Sequence, residues 1–305
     1  MNDSLIVDIH ADDYGYTVNT SKDILQCVKD EALDSFSIIC NTKCFEETTK
    51  MLYEAIPSFK YLPLMSVHLN FLEGFGHDGR IMSNYTWEEY LAKSYWFGRK
   101  KLKKFLKIEI KNQIEKTWGV ITKCFEIADS NNIPRKQSKI RIDSHIHTHL
   151  IPVIWDALTE TLDEEDYEIE YIRNPKEPLS PFLKCFKMYP SYSLINLIKN
   201  RILMFYSKKV DDYCDAKGLK KRYMCGLMFS GNMNIERLER IIDNLANITK
   251  INNRELEFLF HPGFSLKEEY SDELNNHDYF VFNNSKNRTV EKESVHRIKS
   301  LMKEQ

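Results

Sequence analysis

The chain predicts an α/β fold: a distorted (β/α) barrel with about seven parallel strands. Three features carry that prediction. Short apolar runs recur about seven times along the 305 residues, most of them separated by helix-like segments, as parallel pairing requires. Several of these runs end in histidine- or aspartate-bearing segments, the arrangement expected when functional groups gather at one rim of a barrel. The length suits one large core, so residues 1–305 are read as a single domain.

The elements follow in order. Residues 5–10 form an apolar strand, and Ile24, Leu25, Val28 and Ala32 recur at helical spacing over 20–33, with Thr20 or Ser21 as cap. Residues 35–40 are strand-like, 44–55 helical, and 64–71 the next strand. Helices are expected over 87–96 and 100–128, the second carrying Leu102, Phe105, Leu106, Ile110, Ile114 and Trp118 on one side. Residues 139–145 read as a strand, 152–162 as a helix with Pro152 in its first turn, and 168–174 as a strand. Later come a strand over 223–230, a helix over 234–248, a strand over 255–261 and a helical tail over 289–303. The connections 72–86 and 175–222 are long, and are read as loop or helical insertions where specificity would reside.

Charge is nearly balanced, 43 Lys and Arg against 45 Asp and Glu, and no groove-reading motif is present, so nucleic acid is not an expected partner. No uncharged apolar run reaches the roughly 20 residues that span a bilayer. The opening tetrapeptide lacks the basic and apolar regions of a secretory signal. Seven cysteines, odd in number and without a C-x-x-C pair, read as reduced thiols. A cytoplasmic protein is expected, and a homodimer is left open.

Six of the nine histidines fall in four segments: 10–15, 66–70, 143–149 and 261–263. Asp12 and Asp13 end the first strand, where Gly15 permits a bend. Neighbouring carboxylates there can divide labour, one binding a cation and the other accepting a proton from water. Alternation puts Ser66, His68 and Asn70 on one strand face. The same alternation aims Asp143, His145, His147 and His149 at one face, which no apolar core accepts without partners. Pro152 ends extended pairing, so His149 is expected to face outward. His261, held extended by Pro262 before the turn at Gly263, suits a general acid.

Together these segments resemble the YdjC-like carbohydrate deacetylases, the family of chitooligosaccharide and hopanoid-associated deacetylases. The matching motifs are Ala11-Asp12-Asp13-Tyr14-Gly15, His68-Leu69-Asn70, Asp143-Ser144-His145-Ile146-His147-Thr148-His149 followed by Pro152, and His261-Pro262-Gly263. The third is the most specific. The resemblance implies a polysaccharide-deacetylase-like barrel with one divalent metal ion on Asp13, His68 and His145. It assigns Asp12 as the base and His261 as the acid toward the leaving amine. The implied substrate is an N-acetylated sugar or oligosaccharide of the N-acetylglucosamine type, and the first product is acetate. Mg²⁺ is common in the family, while one carboxylate with two imidazoles also suits Zn²⁺ or Co²⁺. Asp143, His147, Arg173 and Asn70 are candidates for substrate contact or for supporting the ligands, and Arg173 could equally be a structural ion pair. His10 stands where the family often has Asn.

Two alternatives stand beside this one: an amidohydrolase- or histidinol-phosphatase-like metal hydrolase, and a non-catalytic sugar-binding barrel. Residues 99–116, rich in lysine, read as a solvated helix face, with an anionic glycan or membrane surface as the minor reading, and 194–206 as a buried helix; the two stretches together motivate a lipid-linked sugar substrate as a minority hypothesis.

Overall fold

In the computed structural model, residues 5–82, 85–274 and 276–303 are described. The opening tetrapeptide and residues 83–84 of the 72–86 connection therefore lie outside the described residues. The chain runs β1 (Val7–Tyr14), α1 (Val18–Lys29), β2 (Ser35–Ile38), α2 (Phe45–Ala55), β3 (Leu64–Leu69), α3 (Trp87–Lys93) and α4 (Arg99–Ser130). It continues with β4 (Ile140–Ser144), α5 (Pro152–Glu164), β5 (Ile169–Ile172), α6 (Ser180–Leu183), α7 (Leu194–Lys217) and β6 (Arg222–Cys225). Last come α8 (Ile235–Glu239), α9 (Ile242–Ile251), β7 (Glu255–Phe260), α10 (His277–Asn283) and α11 (Asn287–Lys303).

All strand pairs are parallel, in the order β5-β4-β3-β2-β1-β7-β6. The sheet curls into a half-barrel whose edge strands, β5 and β6, are not paired with each other. Bonds just after β5 cross that gap: Met224 N–H donates to the carbonyl of Lys176 at 3.0 Å, and the N–H groups of Gly226, Leu227 and Met228 donate to the Glu177 carboxylate.

Period 2 divides the strands between two environments. Outward residues Ile9, Ala11, Phe36, Ile38, Met65, Leu256, Phe258 and Phe260 pack on Ile24, Val28, Leu52, Ile121 and Ile298 of the surrounding helices. Val67, Leu69, Ile140, Ile142 and Ile172 pack likewise on Leu106, Ile110, Ile154 and Leu158. Inward residues are polar and fully buried: Asp8, His10, Asp12, Ser35, Ser37, His68, Arg141, Asp143, Arg173 and Glu257. The barrel axis is thus filled with charge rather than with the branched apolar layers common in such cores.

Several expectations need correction. The first strand runs on through both aspartates to Tyr14. Its bend falls on Asp13 itself, at φ 72°, with a register shift against β2 between Ala11 and Tyr14. The strand expected over 139–145 stops at Ser144; residues His145–Leu150 form a tight turn with Ile146 and His147 at positive φ. Two-residue alternation therefore does not extend to His147 and His149. His149 is fully buried rather than outward-facing, bonded to Ser144 Oγ at 2.5 Å and to the Arg173 carbonyl at 2.8 Å. The strand expected over 223–230 ends at Cys225, and the helix over 234–248 is two helices, α8 and α9. The 175–222 insertion holds a long helix, α7, whose 194–206 part is largely exposed rather than buried.

Two glycines meet real constraints. Gly15 has φ 88°, and a Cβ there would lie 2.4 Å from the Ile39 carbonyl oxygen. Gly263 lets the loop after β7 dock on the start of α1, since a Cβ would fall 2.2 Å from Thr20 Cγ2 and 2.8 Å from Thr20 Cα. Gly263→Ala is expected to lower stability by about 1–3 kcal/mol in thermal or denaturant unfolding. An unchanged midpoint would show that this docking is looser than described.

Candidate metal centre

The ends of β1, β3 and β4 bring three side chains together. Asp13, His68 and His145 are buried, with one potential ligand atom from each lying within 4.8 Å of the others. His68 Nε2 is 3.4 Å and His145 Nδ1 3.0 Å from the same oxygen, Asp13 Oδ1. Each imidazole has a carboxylate on its other nitrogen. His68 Nδ1 lies 2.6 Å from Asp143 Oδ1, and His145 Nε2 lies 3.3 Å from Glu73 Oε2. This is the pattern that orients a ligating histidine and fixes its tautomer. His68 Nε2, His145 Nε2 and Glu73 Oε2 are buried without a hydrogen-bond partner.

The electrostatics follow from this crowding. Burial opposes charge on His68, but Asp12 and Asp143 outweigh it and push the imidazole up to about 10. Burial likewise opposes charge on His145, yet Asp13 pushes it up to about 9. Burial alone would raise Asp13; His145 and His68 hold it far below the usual carboxylate range. The cluster carries more negative charge than it can bury unaided, and protons on the two imidazoles offset it.

Two other buried groups could in principle hold an ion: Asp8, His10 and Glu257, and His10, Asp12 and Asp143. Both already touch guanidinium groups. Arg141 Nη2 is 3.0 Å from Asp8 Oδ2, and Arg222 is bonded to the same oxygen. Arg173, from the end of β5, donates through Nη1 to both Asp12 oxygens at 2.8 and 2.9 Å, and through Nε to Glu257 at 2.7 Å. Its Nη2 lies 3.1 Å from Asp143 Oδ2. Asp13, His68 and His145 have no such arginine contact among the described residues, which leaves that set for a cation.

Asp12 sits next to this set. Its Oδ1 also accepts from Ser37 Oγ at 3.0 Å and lies 3.1 Å from His10 Nε2. Burial opposes its ionisation, but Arg173 and His68 hold the carboxyl well below its ordinary value. His147 is buried with Nδ1 unpartnered; burial and then Arg173 push it well below the usual imidazole value, so the ring stays neutral. His261 lies farther along the rim, 15% exposed, with Nδ1 3.8 Å from Glu291 and its ring against Phe282. The side chain of Asn70 accepts from the N–H groups of Leu72 and Glu73 and donates to the Glu73 carbonyl, so it shapes the turn that presents Glu73.

Sequence reasoning missed Asp8, Glu73, Glu257, Tyr16 and Tyr279. Asp8 and Glu257 were visible in principle, since Asp8 alternates with His10 and Asp12, and Glu257 interrupts an apolar strand. Glu73 and the aromatics carried no such signal. Tyr279 of α10 donates to Asp13 Oδ2, and its ring stands edge-on to His145 with centroids 4.3 Å apart. Tyr16 stacks on the same imidazole at 5.9 Å.

The curled parallel sheet and its buried acid–histidine rim define an α/β half-barrel protein with a candidate metal centre. The family profile described as YdjC-like protein matches residues 6–119 and 141–296, and the chain belongs to that family, which is related to the carbohydrate deacetylases of the polysaccharide deacetylase superfamily. A similar crystal structure is that of a "putative cellobiose-phosphate cleavage protein" from Enterococcus faecalis V583. It is 15% identical, with a TM-score of 0.50, over 98% of this chain and 94% of that one, and it supports the fold alone. No curated protein matches the chain.

Replacing Arg173 by Met would leave Asp12, Asp143 and Glu257 without their shared guanidinium. A loss of about 3–5 kcal/mol in denaturant unfolding is expected, with Lys recovering only part of it. Unfolding unchanged by Arg173→Met would contradict this description of the axis.

Proposed function

We propose that the protein is a divalent-metal-dependent hydrolase that removes the acetyl group from an N-acetylated sugar or oligosaccharide, releasing acetate and a free amine. The observation that carries this reading is the convergence of Asp13, His68 and His145 beside a separate carboxylate, Asp12, that is clamped by Arg173. Family membership supports the substrate class.

The residues fit a cation: one carboxylate and two imidazoles, with His68 Nε2 buried and unpartnered and its Nδ1 held by Asp143. Such a set suits Zn²⁺ or Co²⁺, and the family resemblance adds Mg²⁺. When bound, the ion would supply Lewis-acid polarisation of the acetyl carbonyl and charge stabilisation at its oxygen. Asp12 takes a proton from the attacking water. Arg173 keeps that carboxylate ionised and oriented, so it is ready at neutral pH although only weakly basic. His261 returns a proton to the departing nitrogen, with Glu291 behind its Nδ1. His147, neutral and with a free Nδ1, is placed to accept a hydrogen bond from substrate. Tyr279 and Tyr16 cover the imidazole of His145 and limit water around it.

Assays of acetate release from N-acetylglucosamine and chitooligosaccharides, with metal analysis of the same samples, test the assignments. Asp12→Asn is expected to retain metal and lose on the order of 10²–10⁴ in turnover. His68→Ala should lose both. Wild-type turnover in Asp12→Asn would remove the base assignment, and phosphate release without acetate would favour the phosphoesterase alternative.

The imidazoles also set a pH dependence. Their folded values, about 10 for His68 and about 9 for His145, are raised, so protons stay bound through neutrality and a cation must displace them. Metal affinity should therefore weaken as pH falls and strengthen as pH rises towards those values. Calorimetry in buffers of different ionisation enthalpy should show proton release on metal binding. Binding with no proton release at neutral pH would contradict this.

A further inference from the structure

Helix α7 carries apolar residues on both of its sides. Its buried side mixes Leu203, Val210 and Cys214 with Asn200, Ser207 and Asp211. Its outer side carries Leu194, Ile195, Ile198, Ile202 and Phe205, which are 70%, 64%, 52%, 39% and 76% exposed. Residues 194, 198, 202 and 205 lie on one helical stripe. At the turn between α3 and α4, Tyr95, Trp96 and Phe97 are 72%, 71% and 95% exposed. The two features adjoin: Phe205 packs on Tyr206 with centroids 5.1 Å apart, and burial, then the nearby Tyr95, raise the Tyr206 hydroxyl above its ordinary value. The result is one extended apolar and aromatic surface, larger than a scatter of single exposed residues.

The two stretches that build this surface carry charge of one sign, although carboxylates from α5 and from the end of α7 approach them. No carboxylate occurs between Glu89 and Glu109 or between Glu177 and Asp211, on a chain whose net charge is −2. Some cations in these stretches are paired: Arg99 with Asp156, Lys103 with Glu160, Lys107 with Glu164 and Lys208 with Asp212. Lys100, Lys101, Lys104, Lys199 and Arg201 are exposed and form no salt bridge among the described residues.

We infer that this face docks on the surface of an anionic lipid bilayer. Trp96 and Phe97 would enter the headgroup boundary, the α7 stripe would lie along it, and the exposed cations would meet lipid phosphates. Charge complementarity selects this occupant. A second copy of the chain packed across a two-fold axis would set the same cations against themselves. The contact is peripheral, since no helix among the described residues is long and apolar enough to cross a membrane. The inference does not depend on the chemistry proposed for the barrel.

Flotation of the full chain with phosphatidylcholine vesicles, with and without about one-third phosphatidylglycerol, tests it. Binding is expected only to the anionic vesicles and should be released by high salt. The pair Trp96→Ala/Phe97→Ala, and separately the triple Lys100→Glu/Lys101→Glu/Lys104→Glu, should each lower the partition coefficient by about tenfold or more, with unchanged thermal unfolding. These residues are exposed, so the variants should fold. No binding, equal binding to both vesicle types, or wild-type binding by the variants would overturn the inference. So would a dimer in light scattering that the aromatic pair converts to monomer while vesicles bind nothing.

Discussion

The guanidinium of Arg173 is the constraint on which the rest of this barrel depends. It stands at the end of β5 and reaches carboxylates from β1, β4 and β7, so one side chain ties together strands that are distant in the sheet order. A buried charge is tolerable only when its partners are exact in position, and here the partners are themselves buried charges. Below it, Arg141 and Arg222 hold Asp8, while Tyr171 donates to Glu257 at 2.5 Å. Carboxylates still outnumber guanidinium groups along the axis. The surplus is concentrated at Asp13 and Glu73, beside His68 and His145. Among the described residues, Asp13, His68 and His145 are thus the buried candidate set that no arginine contacts.

The same arrangement separates two carboxylates that are adjacent in sequence. Asp12 follows the strand alternation and faces Arg173 inside the barrel. Asp13, turned by its positive φ, faces the two imidazoles. Neighbours on a regular strand would point to opposite sides. The local bend keeps them on one rim with different partners. Asp12 and Asp13 thus have different principal partners, Arg173 and His145, with His68 lying between them.

Much of this was legible in the sequence, for identifiable reasons. Parallel α/β architecture followed from alternation of apolar runs and amphipathic helices, and all seven strands are present with shifted ends. The convergence of Asp13, His68 and His145 was legible through motif order. What failed was local geometry. Period-2 reasoning cannot see that the chain turns at His145, which sends His149 into a structural bond with the Arg173 carbonyl. Glu73 and Tyr279 reach the centre from loop and helix, where no periodicity marks them. The exposed stripe of α7 was read as core because apolar residues at helical spacing usually are, and only tertiary context shows which side of a helix is covered.

Anomalous diffraction from crystals grown with Co²⁺ is the most direct test of the central claim. The account predicts a single strong peak liganded by Asp13, His68 and His145, with Arg173 still engaging Asp12. A peak among His10, Asp12 and Asp143, or no peak in protein that releases acetate, would contradict it.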